Sequence, residues 1–345
     1  MRLHPLQNLT GLVLRLHINR RPRINRVKQA GAGFSLIELM ISMTIGLVIM
    51  GAALSAYQGT ATASRVAEAQ SRMNEDAYAA LELLSQQIRM AGANPKQANY
   101  ALSTPRNPIT NTFSLRGCGT AFSNLKASGG VTAATDVSKL SCPAVTSDAA
   151  QPHSLAVAYE ADKFNTVPLS NGTPTDCVGT GLKSQMATVN KITSATSTAA
   201  TAVTFYEADN RFYIDTPSGS SNPSLYCFGN GDKGTPQPMV ENIEDLKFSY
   251  GVAQASGNDG VVAGYLSASQ IETDASTVNL GSSSERWKRV VAVRICIVAR
   301  SEANITNSNT SSQYLDCDGN LKTNTTDLRL RRAYFATVSL RNRLP

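Results

Sequence analysis

The chain has 345 residues, 32 Lys and Arg against 25 Asp and Glu, six Cys, one Trp and a formal net charge of +7. Such a balance invites a nucleic-acid reading, and its distribution excludes one. Residues 1–33 carry Arg2, Arg15, Arg20, Arg21, Arg23, Arg26 and Lys28 and no acid, so removing these seven leaves 25 bases against 25 acids.

An apolar run follows the basic stretch, from Phe34 to Tyr57, with Glu38 as its only formal charge. As a helix it would reach about 36 Å, against about 30 Å for the hydrocarbon core of a bilayer. The bases before it hold the N-terminus in the cytoplasm under the positive-inside rule. A carboxylate inside a spanning segment is costly, which makes Glu38 a functional candidate by default. An ordinary secretory signal would place its cleavage site after a much shorter apolar region. A plain anchor explains the run and its basic flank but neither Gly33 nor Glu38.

The segment Gly33-Phe34-Ser35-Leu36-Ile37-Glu38 resembles a class III signal, the processing site of type IV pilins and type II secretion pseudopilins. The resemblance implies that an inner-membrane prepilin peptidase cuts after Gly33 and methylates the new N-terminus at Phe34, with Glu38 fifth in the mature chain. Residues 1–33 are then a leader. Val27, read from a non-AUG codon, is an alternative start that would leave a leader with one lysine.

Past Tyr57 the helix is expected to continue with a changed pattern, over 58–92. Val66, Ala69, Met73, Ala77, Ala80, Leu84, Ile88 and Ala91 recur three and four apart as one apolar stripe, the signature of a helix with one buried face. Arg65, Glu68, Arg72, Glu75, Glu82, Gln86 and Arg89 fall on the other face. Gly92-Ala93-Asn94-Pro95 ends it. Gly46, Gly51 and Gly59 weaken the helix by up to about 1 kcal/mol each, and Gly51 is the candidate hinge.

From about residue 100 the composition turns to Ser, Thr, Gly and Asn with short β-branched or aromatic runs. Expected strands are Leu155–Tyr159, Ala202–Tyr206, Arg211–Ile214, Leu225–Phe228, Leu246–Tyr250, Val290–Ala299 and Ala333–Leu340. Several alternate polar and apolar, as half-buried antiparallel strands do, and Val290–Ala299 is long enough to be central. Pro217–Pro223 and Phe228–Pro238 read as turns, 251–285 and 301–327 as surface loops.

Cys118, Cys142, Cys177, Cys227, Cys296 and Cys317 all follow the apolar run. On the far side of the membrane, in an oxidising periplasm, six cysteines read as up to three disulfides with 15 full pairings open. The pairing expected here is consecutive: Cys118–Cys142, Cys177–Cys227 and Cys296–Cys317. No cysteine pair has zinc spacing, and no metal or cofactor is expected. His153 has no catalytic partners in sequence and reads as a strand entrance. None of the common nucleophile, phosphate or metalloprotease motifs occurs, so no enzyme is expected. Asp316-Cys-Asp-Gly-Asn320 reads as a disulfide-tethered turn, since it lacks a calcium loop's glutamate. Trp287 reads as a core or sheet-edge anchor, and Arg329, Arg331, Arg332, Arg341 and Arg343 as solvent-facing strand positions.

Arg89-Met-Ala-Gly92, Ile243-Glu-Asp-Leu246, Trp287–Arg294 and Leu330–Arg343 are similar to PilW-type minor pilins. The resemblance implies an α+β fold: a long N-terminal helix, membrane half 34–57 and amphipathic half 58–92, packed on an antiparallel sheet with large loops within a periplasmic domain, 93–345. It implies a minor pilin that primes type IV pilus assembly and sits near the tip. Its partners would be prepilin peptidase, other minor pilins, the major pilin and a PilY-type tip adhesin. It would wait in the inner membrane and reach the cell surface in the pilus. A GspJ-like pseudopilin of a type II secretion system and a membrane-anchored periplasmic binding protein are the alternatives. Once the cut frees the Phe34 amine, Glu38 of one subunit can pair with a neighbour's ammonium. Desolvation offsets much of that attraction, so the pair would set register more than affinity.

Overall fold

A computed structural model describes residues 33–94, 113–125, 135–143, 151–194, 197–231, 235–253, 260–273, 281–305, 313–323 and 327–343. The basic leader, with Val27, and Pro95 lie outside the described residues, as do parts of 251–285 and 301–327. The chain divides into two units, Met1–Gly59 and Thr60–Pro345.

In the first unit every large apolar side chain from Phe34 to Tyr57 is exposed. This stretch belongs to helix α1, Leu36–Met90, which passes through Gly46 and Gly51 without a break. Its few hydroxyls are satisfied locally: Ser42, Thr44 and Ser55 donate to the carbonyls of Leu39, Ile41 and Ala52 at 2.8–2.9 Å. A helix that spends its own polar groups internally is what hydrocarbon surroundings demand.

In the second unit α1 becomes one-sided. Met73, Ala77, Ala80, Leu81, Leu84, Ile88 and Ala91 are buried, Val66 and Ala69 half-buried, while Arg65, Glu68, Arg72, Glu75, Glu82, Gln86 and Arg89 stay exposed. Burial of side chains such as Leu84 and Ile88 is worth roughly 1.5–3 kcal/mol each. Gly92, at φ +72°, ends the helix in the left-handed region where glycine carries no steric penalty.

Two antiparallel sheets pack on this face. The first has strands β1 (Leu115–Cys118), β2 (Ser154–Ala161), β3 (Ser184–Ile192), β4 (Thr198–Asp215), β5 (Ser224–Phe228) and β6 (Gln237–Glu241), in the order β1-β2-β4-β5-β6 with β3 also on β4. The second has β7 (Ile243–Ala253), β8 (Val262–Leu266), β9 (Val290–Arg300) and β12 (Arg331–Ser339), in the order β12-β9-β7-β8. A hairpin, β10 (Gln313–Leu315) and β11 (Leu321–Thr323), and two one-turn helices, α2 (Ala268–Thr273) and α3 (Ser283–Lys288), complete it. The fold is α+β, and β9 is central in its sheet as its length suggested. Asn242, the one non-glycine residue with positive φ among those described, turns the chain from β6 into β7.

Four sequence expectations need correction. Ala202–Tyr206 and Arg211–Ile214 are one strand, β4. Its first part pairs with β3 and its second with β2. The polar residues between them are buried and satisfied: Asp209 and Arg211 form an ion pair at 2.8 Å, and the Asn210 amide donates to Gln87 Oε1 and Tyr159 Oη. Secondly, β2 does not alternate; all eight residues are buried, because it is an inner strand whose second face carries the small Ala156 and Ala158 beside Arg211 and Asp209. Thirdly, 251–285 is not only loop, since it carries the end of β7, then β8, α2 and the start of α3, and 301–327 carries the β10–β11 hairpin. Finally, Arg331 is buried rather than solvent-facing.

Among the described glycines, Gly117 has the least room for a side chain. A Cβ there would lie 1.8 Å from Tyr250 Oη, and the Tyr250 ring is held edge-on to Trp287 at 4.9 Å. Gly117→Ala should therefore destabilise the protein by roughly 1–3 kcal/mol through overpacking. Thermal unfolding monitored by circular dichroism checks this, and an unchanged midpoint would contradict it.

Candidate functional site

The residues singled out for processing and assembly open α1. Gly33, Phe34 and Ser35 precede the first helical residue, and the Phe34 side chain is 88% exposed. The Ser35 N–H donates to Glu38 Oε2 at 3.1 Å, and the Glu38 N–H donates to Ser35 Oγ at 3.2 Å. This is a reciprocal capping box, which satisfies two of the donors that a helix start leaves open. The Glu38 carboxylate also lies at the positive end of the helix dipole. Ser35 is thus a partner that the sequence reading passed over, although the S-x-x-E spacing announces it.

Gly33 offers the chain no side-chain obstruction, with nothing within 4 Å of a Cβ built there. The bond between Gly33 and Phe34 is followed directly by a capped helix that begins two residues later.

All six cysteines are paired, in consecutive order. Cys118–Cys142 ties the end of β1 to the segment after a short 3-10 turn, Cys177–Cys227 ties a loop to β5, and Cys296–Cys317 ties β9 to the β10–β11 hairpin. In that hairpin Asp316 Oδ1 accepts from the N–H groups of Asp318 and Asn320 at 3.0 and 2.8 Å, so the run is a tethered turn. Among the described residues no group of three or more His, Cys, Asp or Glu is placed to hold a metal. His153 is buried at the entrance to β2, where its Nδ1 accepts from the Phe248 N–H at 3.1 Å. It joins the two sheets.

Trp287 is fully buried, and its indole N–H donates to Glu272 Oε1 at 2.7 Å. Burial alone would raise the Glu272 carboxyl, but hydrogen bonds from Trp287, Ser283 and Arg286 outweigh it and hold the group below the usual range. Trp287 therefore anchors α2 to α3 in the core and is not a ligand platform. Arg331 binds Glu244 at 2.6 Å and Asp327 at 2.8 Å. It thereby joins two segments far apart in sequence, Ile243–Leu246 and Leu330–Arg343. The hydrogen bond from Arg331, against some desolvation, holds the Asp327 carboxyl at about 2.

Residues 211–342 match the family model of the type IV pilus-assembly protein W, and residues 29–54 match the prokaryotic N-terminal methylation motif. The first match takes in the whole second sheet and the Arg331 network, and the second takes in Gly33, Phe34 and Glu38. No curated protein and no solved structure matches the chain.

A carboxylate whose folded pKa lies below its unfolded value contributes stability above the unfolded pKa and loses it as pH falls through the folded one. Asp327→Asn should accordingly lower the unfolding temperature at pH 7, with the gap to wild type closing between about pH 4 and pH 2. A gap that is the same at both pH values would show that Asp327 carries no such coupling.

Proposed function

For a PilW-type pilin with a class III signal, the family that both matches support, we propose the role of a minor pilin that is cut after Gly33, methylated on Phe34 and used to begin type IV pilus assembly near the tip. The observation that carries the reading is the Gly33–Glu38 segment, which couples an exposed bond to a capped, wholly exposed apolar helix. Before assembly the helix 34–57 crosses the inner membrane, and the disulfide-bonded domain stands in the periplasm. Prepilin peptidase, other minor pilins, the major pilin and a PilY-type adhesin are the partners this role requires. The PilW match favours the pilus over a type II secretion system, where a GspJ-like subunit would stand.

Assembly replaces lipid around the apolar helix with the helices of neighbours, a gain in close packing rather than in hydrophobic burial. Glu38 then exchanges one partner for another. In the single chain its carboxylate accepts from the Ser35 N–H; in the filament it meets the freed ammonium of a neighbour's Phe34. The exchange costs little in hydrogen bonding and adds a charge pair that only correct register completes.

Two variants separate these roles. Glu38→Gln keeps a side chain that can complete the capping box but removes the charge, while Glu38→Ala removes both. Each should insert and be cut, and both should fall at least about tenfold in sheared surface pili relative to the inner membrane, because each leaves the Phe34 ammonium unpaired. If Glu38→Gln assembles like wild type, the charge pair has no role and the cap alone matters. Gly33→Leu should accumulate an uncut precursor on immunoblots, and full processing of it would overturn the assigned cleavage site.

A further inference from the structure

The outer face of the second sheet, opposite the core, carries a cavity of about 800 Å³. That volume accommodates a ligand of two or three sugar rings. Its floor consists of residues on strands β7, β9 and β12 that are already paired on both sides or with one another. Strands β7 and β9 offer it no free backbone edge, while β12 is the end strand of the sheet and pairs with β9. We propose that this cavity is a carbohydrate site for an acidic oligosaccharide, one ring of which lies on Phe335 and a carboxylate of which meets Arg294.

Phe335 stands on the floor with 58% of its surface exposed, a large aromatic face with no cover. Arg294 is the single exposed residue of β9, in a strand otherwise buried from Val290 to Arg300. Its guanidinium lies 4.2 Å from the Tyr265 ring centroid and forms no ion pair among the described residues. A cation held against a ring on one side keeps its donors for an anion on the other. In the strand register Phe335 pairs with Cys296 and Thr337 with Arg294. Phe335 and Arg294 are thus diagonal neighbours in the register, and the Arg294 side chain reaches away from β12 to Tyr265 on β8, so a chain of two or three sugar rings is what touches both.

The rest of the lining is alcohol and amide. Ser249, Thr337 and Gln270 face the same space, with Ser267 and Ser269 at its rim joined Oγ to Oγ at 3.0 Å. These groups suit a ligand rich in hydroxyls. Lys247 and Asp318 also line the cavity, one base against one acid, so the net charge of the lining is that of Arg294. Asp318 of the tethered hairpin closes the far side. The inference does not depend on the filament role.

The test is isothermal titration calorimetry on the full-length protein in detergent micelles, with trigalacturonate, neutral maltotriose and triglutamate as probes. Trigalacturonate should bind at least about tenfold more tightly than either of the others, as a charge-assisted contact to Arg294 requires. Arg294→Gln should abolish that preference, and Phe335→Ala should weaken binding about fivefold through loss of the stacking face. Phe164→Ala, at a side chain 84% exposed elsewhere on the surface, should change nothing. Three results would overturn the proposal: no binding of trigalacturonate at about 10 mM, maltotriose or triglutamate binding equally well, or full affinity in both Arg294→Gln and Phe335→Ala while the unfolding temperature stays at the wild-type value.

Discussion

The globular part of this protein rests on one stripe of α1, from Met73 to Ala91, in which Ala77, Ala80, Leu81, Leu84 and Ile88 are buried in one core cluster with residues of both sheets. Both sheets reach it by specific polar contacts as well. Tyr334 on β12 donates to Asn74 and stacks edge-on with Tyr78, while Ala158 on β2 accepts from the Gly92 N–H at 2.9 Å. The Asn342 amide near the C-terminus donates to the Arg89 carbonyl at 2.8 Å. The apolar stripe supplies most of the stabilisation, and these contacts select one docking geometry among the many that a smooth helix face would allow.

The core is unusually rich in polar side chains for a domain with so many apolar strands. Asp209 with Arg211, Asn210 with Tyr159, and His153 with the Phe248 N–H are buried, and Asn210 and the buried Arg331 also reach the half-buried Gln87 and the half-buried Glu244 and Asp327 respectively. Burial raises the Asp209 carboxyl even though Arg211 opposes the shift. Pairs of this kind add little net stability, because desolvation offsets the attraction. Their contribution is to penalise strand registers that would leave any one of them alone. Three disulfides act on the same problem from the unfolded side, by restricting the chain between Cys118 and Cys142, Cys177 and Cys227, and Cys296 and Cys317.

The N-terminal segment follows a different physics. In the apolar part of α1 the hydroxyls of Ser42, Thr44 and Ser55 are satisfied within the helix. Glu38 and Ser35 satisfy one another at the helix start, which lets a carboxylate persist in an apolar segment without a distant partner. A class III signal with its cleavage site ahead of the apolar run is compatible with this, because cutting after Gly33 removes none of these bonds.

What the sequence determined by itself were the features that depend on near neighbours or on composition. The long apolar run, the one-sided helix ended by Gly92, the strands rich in β-branched residues and the Asp316–Asn320 turn were all legible, since periodicity and local hydrogen bonding settle them, and the Gly33–Glu38 pattern falls within the match to the N-terminal methylation motif. Ser35 was legible too, in its spacing from Glu38, and was passed over. Only the tertiary structure decided the features that depend on what lies across the core. Polar residues 207–210 read as a break until Gln87, Tyr159 and Asn230 are seen to bond with them within a continuous β4. Arg331 read as a surface cation until Glu244, 87 positions away, is found against it. The cavity floor over Phe335 and Arg294 exists only because β12 and β9 lie side by side. No local pattern encodes these, because a buried charge is tolerable only when a residue remote in sequence arrives to pair with it.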